Sequence, residues 1–335
     1  MFKRRMISIA SAACLLFGAG PAHSESTTLA IAKQYGLGYL QMIVMQDQHL
    51  IEKQAKALGL GDVKVSWSTF RSADVMNDAL LSGNLNIAAL GVPGLATIWS
   101  KTKGTSVEVK GLAGMNLAPL LLNTRNPNIK SLKDFTGQDK IAVPAVKIST
   151  QALVLQMAAA KIWGKKDYQH LDPFTVSMTH PDAMAALMSG AGEVNTHFAS
   201  PPFAQKELQN AGVHQVVSST EIVGTDLSFV TLVMPVSFYK ANPKLTQAFM
   251  AAFKEATDFI NRDNRAAAEI YLRVTGDKTS LDETVSIMKS GLRYTVEPSG
   301  TLAMFQFMFD IGRVKVRPTD WKEYMLPISH SMHGS

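Results

Sequence analysis

The chain has 335 residues, 46% of them hydrophobic and 18% charged, with 23 Gly, 14 Pro and one Cys. That composition excludes disordered, collagen-like and disulfide-framework classes, and the length suits about two packed domains. The net charge of +6 is spread over scattered Lys and Arg rather than gathered in one stripe, so no nucleic-acid partner is expected.

Lys3, Arg4 and Arg5 precede an apolar stretch over 6–20 and then Pro21-Ala22-His23-Ser24. This pattern predicts a secretory signal peptide over 1–24, cleaved after Ser24. The stretch is short for a bilayer span, which takes about 20 residues, and its far flank is small and polar. Cys14 follows Ser11-Ala12-Ala13, which lacks the leading Leu of a lipoprotein signal, and it leaves with the leader. The mature chain is then cysteine-free, which fits the bacterial periplasm and excludes thiol catalysis, and loss of three cations lowers its net charge to +3.

Residues 27–32 read as an apolar strand, and 40–58 carry apolar residues at helical spacing up to Gly59. Over 63–70, Val63, Val65 and Trp67 alternate with Lys64, Ser66 and Ser68, the pattern of a half-buried strand. Residues 74–81 read as a helix closed by Gly83, and 86–90 as a buried strand. This alternation predicts an α/β domain with a mainly parallel sheet, because parallel neighbours need crossover helices. Ligands sit at strand C-terminal ends in such sheets, which points to the loops 33–38, 69–72 and 91–94.

A second set begins near Leu132, with strands over 140–143, 174–178 and 194–198 and helices over 150–163 and 182–188. Ala79-Leu80-Leu81-Ser82-Gly83 is echoed by Ala186-Leu187-Met188-Ser189-Gly190, and each run is followed by Pro, at 93 and at 201. Apolar strands over 118–123 and 228–234 flank this set and predict two crossings between lobes. One lobe comprises 25–117 with 229–335, the other 118–228. From Asn242 onward, helices over 244–261, 264–274, 281–290 and 300–311 return to the first lobe, and Phe305, Phe307 and Phe309 pack in or beside a core.

No Gly-x-Ser-x-Gly elbow occurs, and no Ser-x-x-Lys stands at a helix start. His49, His170, His180, His197 and His214 stand singly, and the pair His330 and His333 lies at the fraying chain end, so no metal site is expected. Gly36-Leu37-Gly38 lacks the third glycine of a dinucleotide fingerprint, and no cofactor is expected. Enzymatic chemistry is therefore not anticipated.

Binding residues are better defined. The stretch from Ile141 through Pro144, Lys147, Ser149 and Thr150 runs from a strand into a helix start. Ser149 or Thr150 suits an N-cap, and the first-turn N–H groups with a hydroxyl also suit an anion, with Lys147 nearby. A plain structural cap is the competing reading. Further cleft candidates are Gln34, Tyr35, Tyr39, Thr69, Arg71, Gly91, Val92, Asn195, His197 and Ser200, with Arg71 able to pair bidentately with a carboxylate or sulfonate.

Several segments carry a family resemblance: Tyr35-Gly36 after the opening strand, Asp78-Ala79-Leu80-Leu81-Ser82-Gly83 leading to Asn86-Ile87-Ala88-Ala89-Leu90-Gly91, Ser131-Leu132-Lys133-Asp134-Phe135-Thr136-Gly137, and Pro181-Asp182-Ala183-Met184-Ala185-Ala186-Leu187-Met188-Ser189-Gly190. With Asn242-Pro243-Lys244-Leu245-Thr246-Gln247-Ala248-Phe249, they make the mature chain resemble the periplasmic substrate-binding proteins of nitrate-, sulfonate- and taurine-type ABC transporters.

The resemblance implies the type II periplasmic binding protein fold: two hinged α/β lobes around a ligand cleft. It places the anionic head of a ligand at Ser149 and Thr150. It also implies a monomer that closes on a small solute and delivers it to a membrane permease driven by a separate ATPase. The family often ends a late strand on an aromatic before Pro, where this chain has Thr196-His197-Phe198-Ala199-Ser200-Pro201. Two alternatives share the fold: a pyrimidine-precursor synthase, whose cysteine-rich motif is missing from the mature sequence, and a periplasmic ligand-sensing module.

Overall fold

The computed structural model describes residues 25–224 and 228–335; the expected leader, with Lys3, Arg4, Arg5 and Cys14, lies outside the described residues. The chain begins with β1 (Thr28–Lys33), α1 (Leu40–Asp47), α2 (Leu50–Ala57), β2 (Lys64–Thr69), α3 (Ala73–Leu81), β3 (Ile87–Gly91), α4 (Val92–Thr102) and β4 (Val109–Leu117). It then passes into β5 (Leu121–Thr124), β6 (Lys140–Val143), α5 (Thr150–Trp163), β7 (Thr175–Ser177), α6 (His180–Ser189), β8 (Val194–Ala199), α7 (Phe203–Leu208), β9 (His214–Ser218) and α8 (Ser219–Val223). It closes with β10 (Ser228–Pro235), α9 (Val236–Ala241), α10 (Pro243–Arg262), α11 (Asn264–Thr275), α12 (Leu281–Lys289), β11 (Arg293–Tyr294) and α13 (Thr301–Asp310).

The strands form two sheets, ordered β11-β4-β10-β3-β1-β2 and β7-β6-β8-β5-β9, and each sheet with its helices makes one α/β lobe. In the first, β1 runs parallel to β2 and β3, while β10 is antiparallel between β3 and β4. In the second, β6 is parallel to β7 and β8, and β5 is antiparallel between β8 and β9. Sheet membership changes between β4 and β5 and again between β9 and β10.

Position in the sheet explains the sequence patterns. Strand β3 is interior and covered on both faces, so its first four residues, Ile87 to Leu90, are all buried. Strand β2 is an edge, and only Val65 and Trp67 turn inward. Helix α10 buries Leu245, Phe249, Ala252, Phe253, Ala256 and Ile260 at helical spacing. Phe305 of α13 stacks on Tyr324 at 3.8 Å between ring centroids and meets Trp99 edge-on at 5.8 Å, whereas Phe309 is exposed.

Four details differ from the sequence reading. The helix expected over 40–58 is two helices, because His49 takes a left-handed φ of 52° and turns the chain so that α2 packs against α10. The expected loop 91–94 is the first turn of α4, where Pro93 costs no hydrogen bond. Strand β4 was hidden by Gly111 and Gly114, which dilute its apolar pattern. A Cβ on either would collide with Met325 or with the backbone of Glu297, so the close approach of the C-terminal segment requires glycine there. Residues 118–120 are a connection rather than the start of a strand.

Candidate functional site

The two sheets point strand ends at one another across a narrow cavity of about 30 Å³. The first lobe contributes Gln34 after β1, Tyr39 before α1, Ala73 at the start of α3, Gly91 at the end of β3 and Phe229 on β10. The second lobe contributes Pro144, Ala145, Ile148, Ser149, Thr150 and Gln151 from the β6–α5 junction, with His180 from the start of α6. The space holds about one or two waters.

The β6–α5 junction is built as a helix start. Ser149 caps α5: its hydroxyl accepts from the Ala152 N–H at 3.3 Å and donates to the Ala145 carbonyl at 2.9 Å. That hydroxyl is therefore committed to the fold. Thr150 is different, because its Oγ1 is buried without a hydrogen-bond partner. It faces Gly91 of the other lobe so closely that a Cβ on Gly91 would fall within 3.0 Å of it. A buried hydroxyl in this state carries a desolvation cost that an acceptor at the same place would offset.

Around this point the wall is neutral. Burial pushes the Tyr39 phenol well above its ordinary range, so it stays protonated. Burial, and then the neighbouring His197, hold His180 well below its ordinary value of 6.5, so its imidazole is uncharged. Among the described residues, no Lys or Arg lines the cavity.

The residues expected at the site separate into groups. Gln34, Tyr39, Gly91, Ser149 and Thr150 meet at the cavity. Tyr35 and Thr69 line a flanking hollow of about 440 Å³ together with Gln34, Lys33, Phe203 and Tyr271. Arg71 lines another of about 490 Å³, which shares Pro144 and Ala145 with the cavity and also carries Asp74 and Asp182. Val92 is buried in the first turn of α4. Lys147 takes a left-handed φ of 65° and lines a separate hollow beside Asp172. Asn195 is occupied by Asp139, which accepts from its Nδ2 at 2.8 Å. Ser200 is buried with its hydroxyl unpartnered, and His197 lies one layer behind the wall.

Sequence reasoning missed Ala73, Gln151, His180 and Phe229, and it gave no separate role to Pro144, Ala145 and Ile148 within the stretch it singled out. His180 and His197, which stand singly along the chain, are hydrogen-bonded at 2.8 Å. Gln151 carried a usable signal, as the residue after a candidate anion-binding helix start.

The lobes are fastened around the cavity. The Leu37 N–H donates to the Pro201 carbonyl at 3.2 Å. Lys206 donates to both carboxylate oxygens of Asp277, at 2.7 and 2.8 Å, and Lys165 to Asp310 at 2.7 Å. Arg313 is half-buried and donates to Gln156 Oε1 at 2.9 Å.

Two α/β lobes joined by two crossings, with a cavity between facing strand ends, define the type II periplasmic binding protein fold. Residues 22–274 match the NMT1-like family, and the chain belongs to that family. No curated protein matches the sequence. Solved structures share the fold: the periplasmic aliphatic sulphonate binding protein SsuA from Escherichia coli is 18% identical with a TM-score of 0.66, covering 89% of this chain and 97% of its own. The alkanesulfonate-binding protein SsuA from Xanthomonas axonopodis pv. citri, bound to MOPS, is 13% identical with a TM-score of 0.67, covering 88% and 96%. The periplasmic nitrate-binding protein NrtA from Synechocystis PCC 6803 is 15% identical with a TM-score of 0.66, covering 89% and 84%.

Proposed function

We propose that this chain is the periplasmic solute-binding subunit of an ABC importer and that it captures a small anion, such as a sulfonate, nitrate or carboxylate, without altering it. The lobes are 25–117 with 229–335 and 118–228, and they hinge at the two crossings. The observation that carries the reading is the start of α5, where the buried, unpartnered Thr150 hydroxyl stands beside first-turn N–H groups at the seam between lobes. Hydrogen bonds and the helix dipole hold the anion there without a charged side chain. The cavity lies between the lobes, so capture couples solute entry to their opening and closure. A monomer then presents the closed form to the permease, and a separate ATPase drives uptake.

A melting screen tests this reading with nitrate, methanesulfonate, taurine, acetate and neutral heterocycles. A solute at a hundred times its dissociation constant adds about 2.7 kcal/mol of stability. Stabilisation by neutral heterocycles and by none of the anions would overturn the anion reading. Chemical turnover of a bound solute would overturn the transport reading.

A further inference from the structure

Behind the second lobe's side of the cavity runs a line of buried polar groups. Gln151 Nε2 lies 3.2 Å from His180 Nε2, His180 Nδ1 lies 2.8 Å from His197 Nε2, and His197 Nδ1 lies 2.5 Å from Glu207 Oε1. At the far end, Asn123 Nδ2 donates to Glu207 Oε2 at 2.9 Å and to the Ala204 carbonyl at 3.0 Å. His197 and Glu207 are fully buried, and His180 stacks on Phe203 with 5.5 Å between centroids.

The direction of this line follows from its donors and acceptors. Two acceptors face Asn123 Nδ2, so the amide orientation of Asn123 is pinned. Taking Glu207 as a carboxylate, which only accepts, places the proton of His197 on Nδ1. The bare Nε2 of His197 then accepts from His180 Nδ1–H, and the bare Nε2 of His180 accepts from the Gln151 amide. Every link has one donor and one acceptor.

We propose that Glu207, acting through His197, is a positioning residue that fixes the tautomer of His180 and the direction of the Gln151 amide, and so sets the hydrogen-bonding polarity of this wall toward the solute. The last clause rests on the capture-site reading; the tautomers do not. Other ionisable groups on the surrounding elements are engaged elsewhere. Asp182 of α6 accepts from Thr179, Lys206 of α7 is paired with Asp277, and Asp139 before β6 holds Asn126 and Asn195. Tyr39 faces the cavity from the first lobe as a neutral phenol.

The sharpest perturbation is Glu207→Gln. With the Asn123 donor pinned, the new amide must turn its oxygen to Asn123 and its NH₂ to His197. His197 Nδ1 becomes an acceptor and the whole line reverses. Imidazole nitrogen NMR on the full chain near neutral pH, assigned with His180→Gln and His197→Gln, reads this directly. The expected result is Nδ1–H on both rings of the parent and Nε2–H on both rings of Glu207→Gln.

Reversal replaces the Gln151 oxygen by its NH₂ at the cavity, and methanesulfonate affinity rises by about tenfold, the scale of one hydrogen bond. A parent His180 protonated on Nε2, tautomers unmoved by Glu207→Gln, or a reversed line with unchanged methanesulfonate affinity would each overturn the proposal. If Glu207→Gln does not fold, the parent spectrum decides. If methanesulfonate binds neither protein, a sulfonate solute is excluded while the tautomers still decide the role of Glu207.

Discussion

Replacing Gly91 by alanine should hold the lobes apart. Gly91 has φ −65° and ψ 154°, a conformation that alanine adopts without strain, so the substitution acts through space alone. The added methyl would lie within 3.0 Å of Thr150 Oγ1 but at an ordinary 3.6 Å from Thr150 Cβ. Only the hydroxyl collides, and it belongs to the opposite lobe. Overpacking of this kind costs about 1–3 kcal/mol, and the open form escapes it, so the cost falls on closure. Solute affinity should then fall by about five- to 150-fold, at 1.4 kcal/mol per factor of ten. Small-angle scattering with saturating solute reports the accompanying loss of compaction. In Gly91→Ala with Thr150→Ala the collision is gone, so compaction should return while affinity stays low for want of the hydroxyl. A Gly91→Ala protein that compacts and binds like its parent would refute the placement of the seam.

Thr150→Val keeps the shape and removes the unpartnered hydroxyl. It should leave the melting temperature without solute unchanged or slightly higher, while weakening anion binding about tenfold in calorimetry. Acid should destabilise the protein through His180. The folded imidazole is held below 6.5 by burial and then by His197, so between 6.5 and the folded value the unfolded chain binds more protons. The stability that a neutral His180 contributes is complete above pH 6.5 and is lost as pH falls below it. Melting temperatures followed from neutral pH into mild acid should drop more steeply for the parent than for His180→Gln.

Much of the architecture was legible because burial enforces periodicity. Strand β2 announced itself by alternation, and α10 by apolar residues three and four apart. The start of α5 was legible too, because a strand running into Ser149-Thr150 is a local signal. The relay was not. His180, His197 and Glu207 are 17 and 10 residues apart along the chain, and they meet because α6 and α7 pack beside β8 in the folded lobe. The place of Lys147 was hidden too: it has a left-handed backbone and lines a hollow with Asp172 rather than the cavity. The division of labour between Ser149 and Thr150 was equally hidden, since either hydroxyl could have served the cap.

The position of β10 has a consequence for how the molecule assembles. This strand lies between β3 and β4 in the first sheet, yet it follows the entire second lobe in the chain. Until it arrives, β3 and β4 each present an unsatisfied edge, the kind of surface that recruits foreign strands. The second sheet, by contrast, draws all five strands from one continuous segment. In chain order, therefore, the inserted unit has all its strands in hand before the unit that begins the chain has its own.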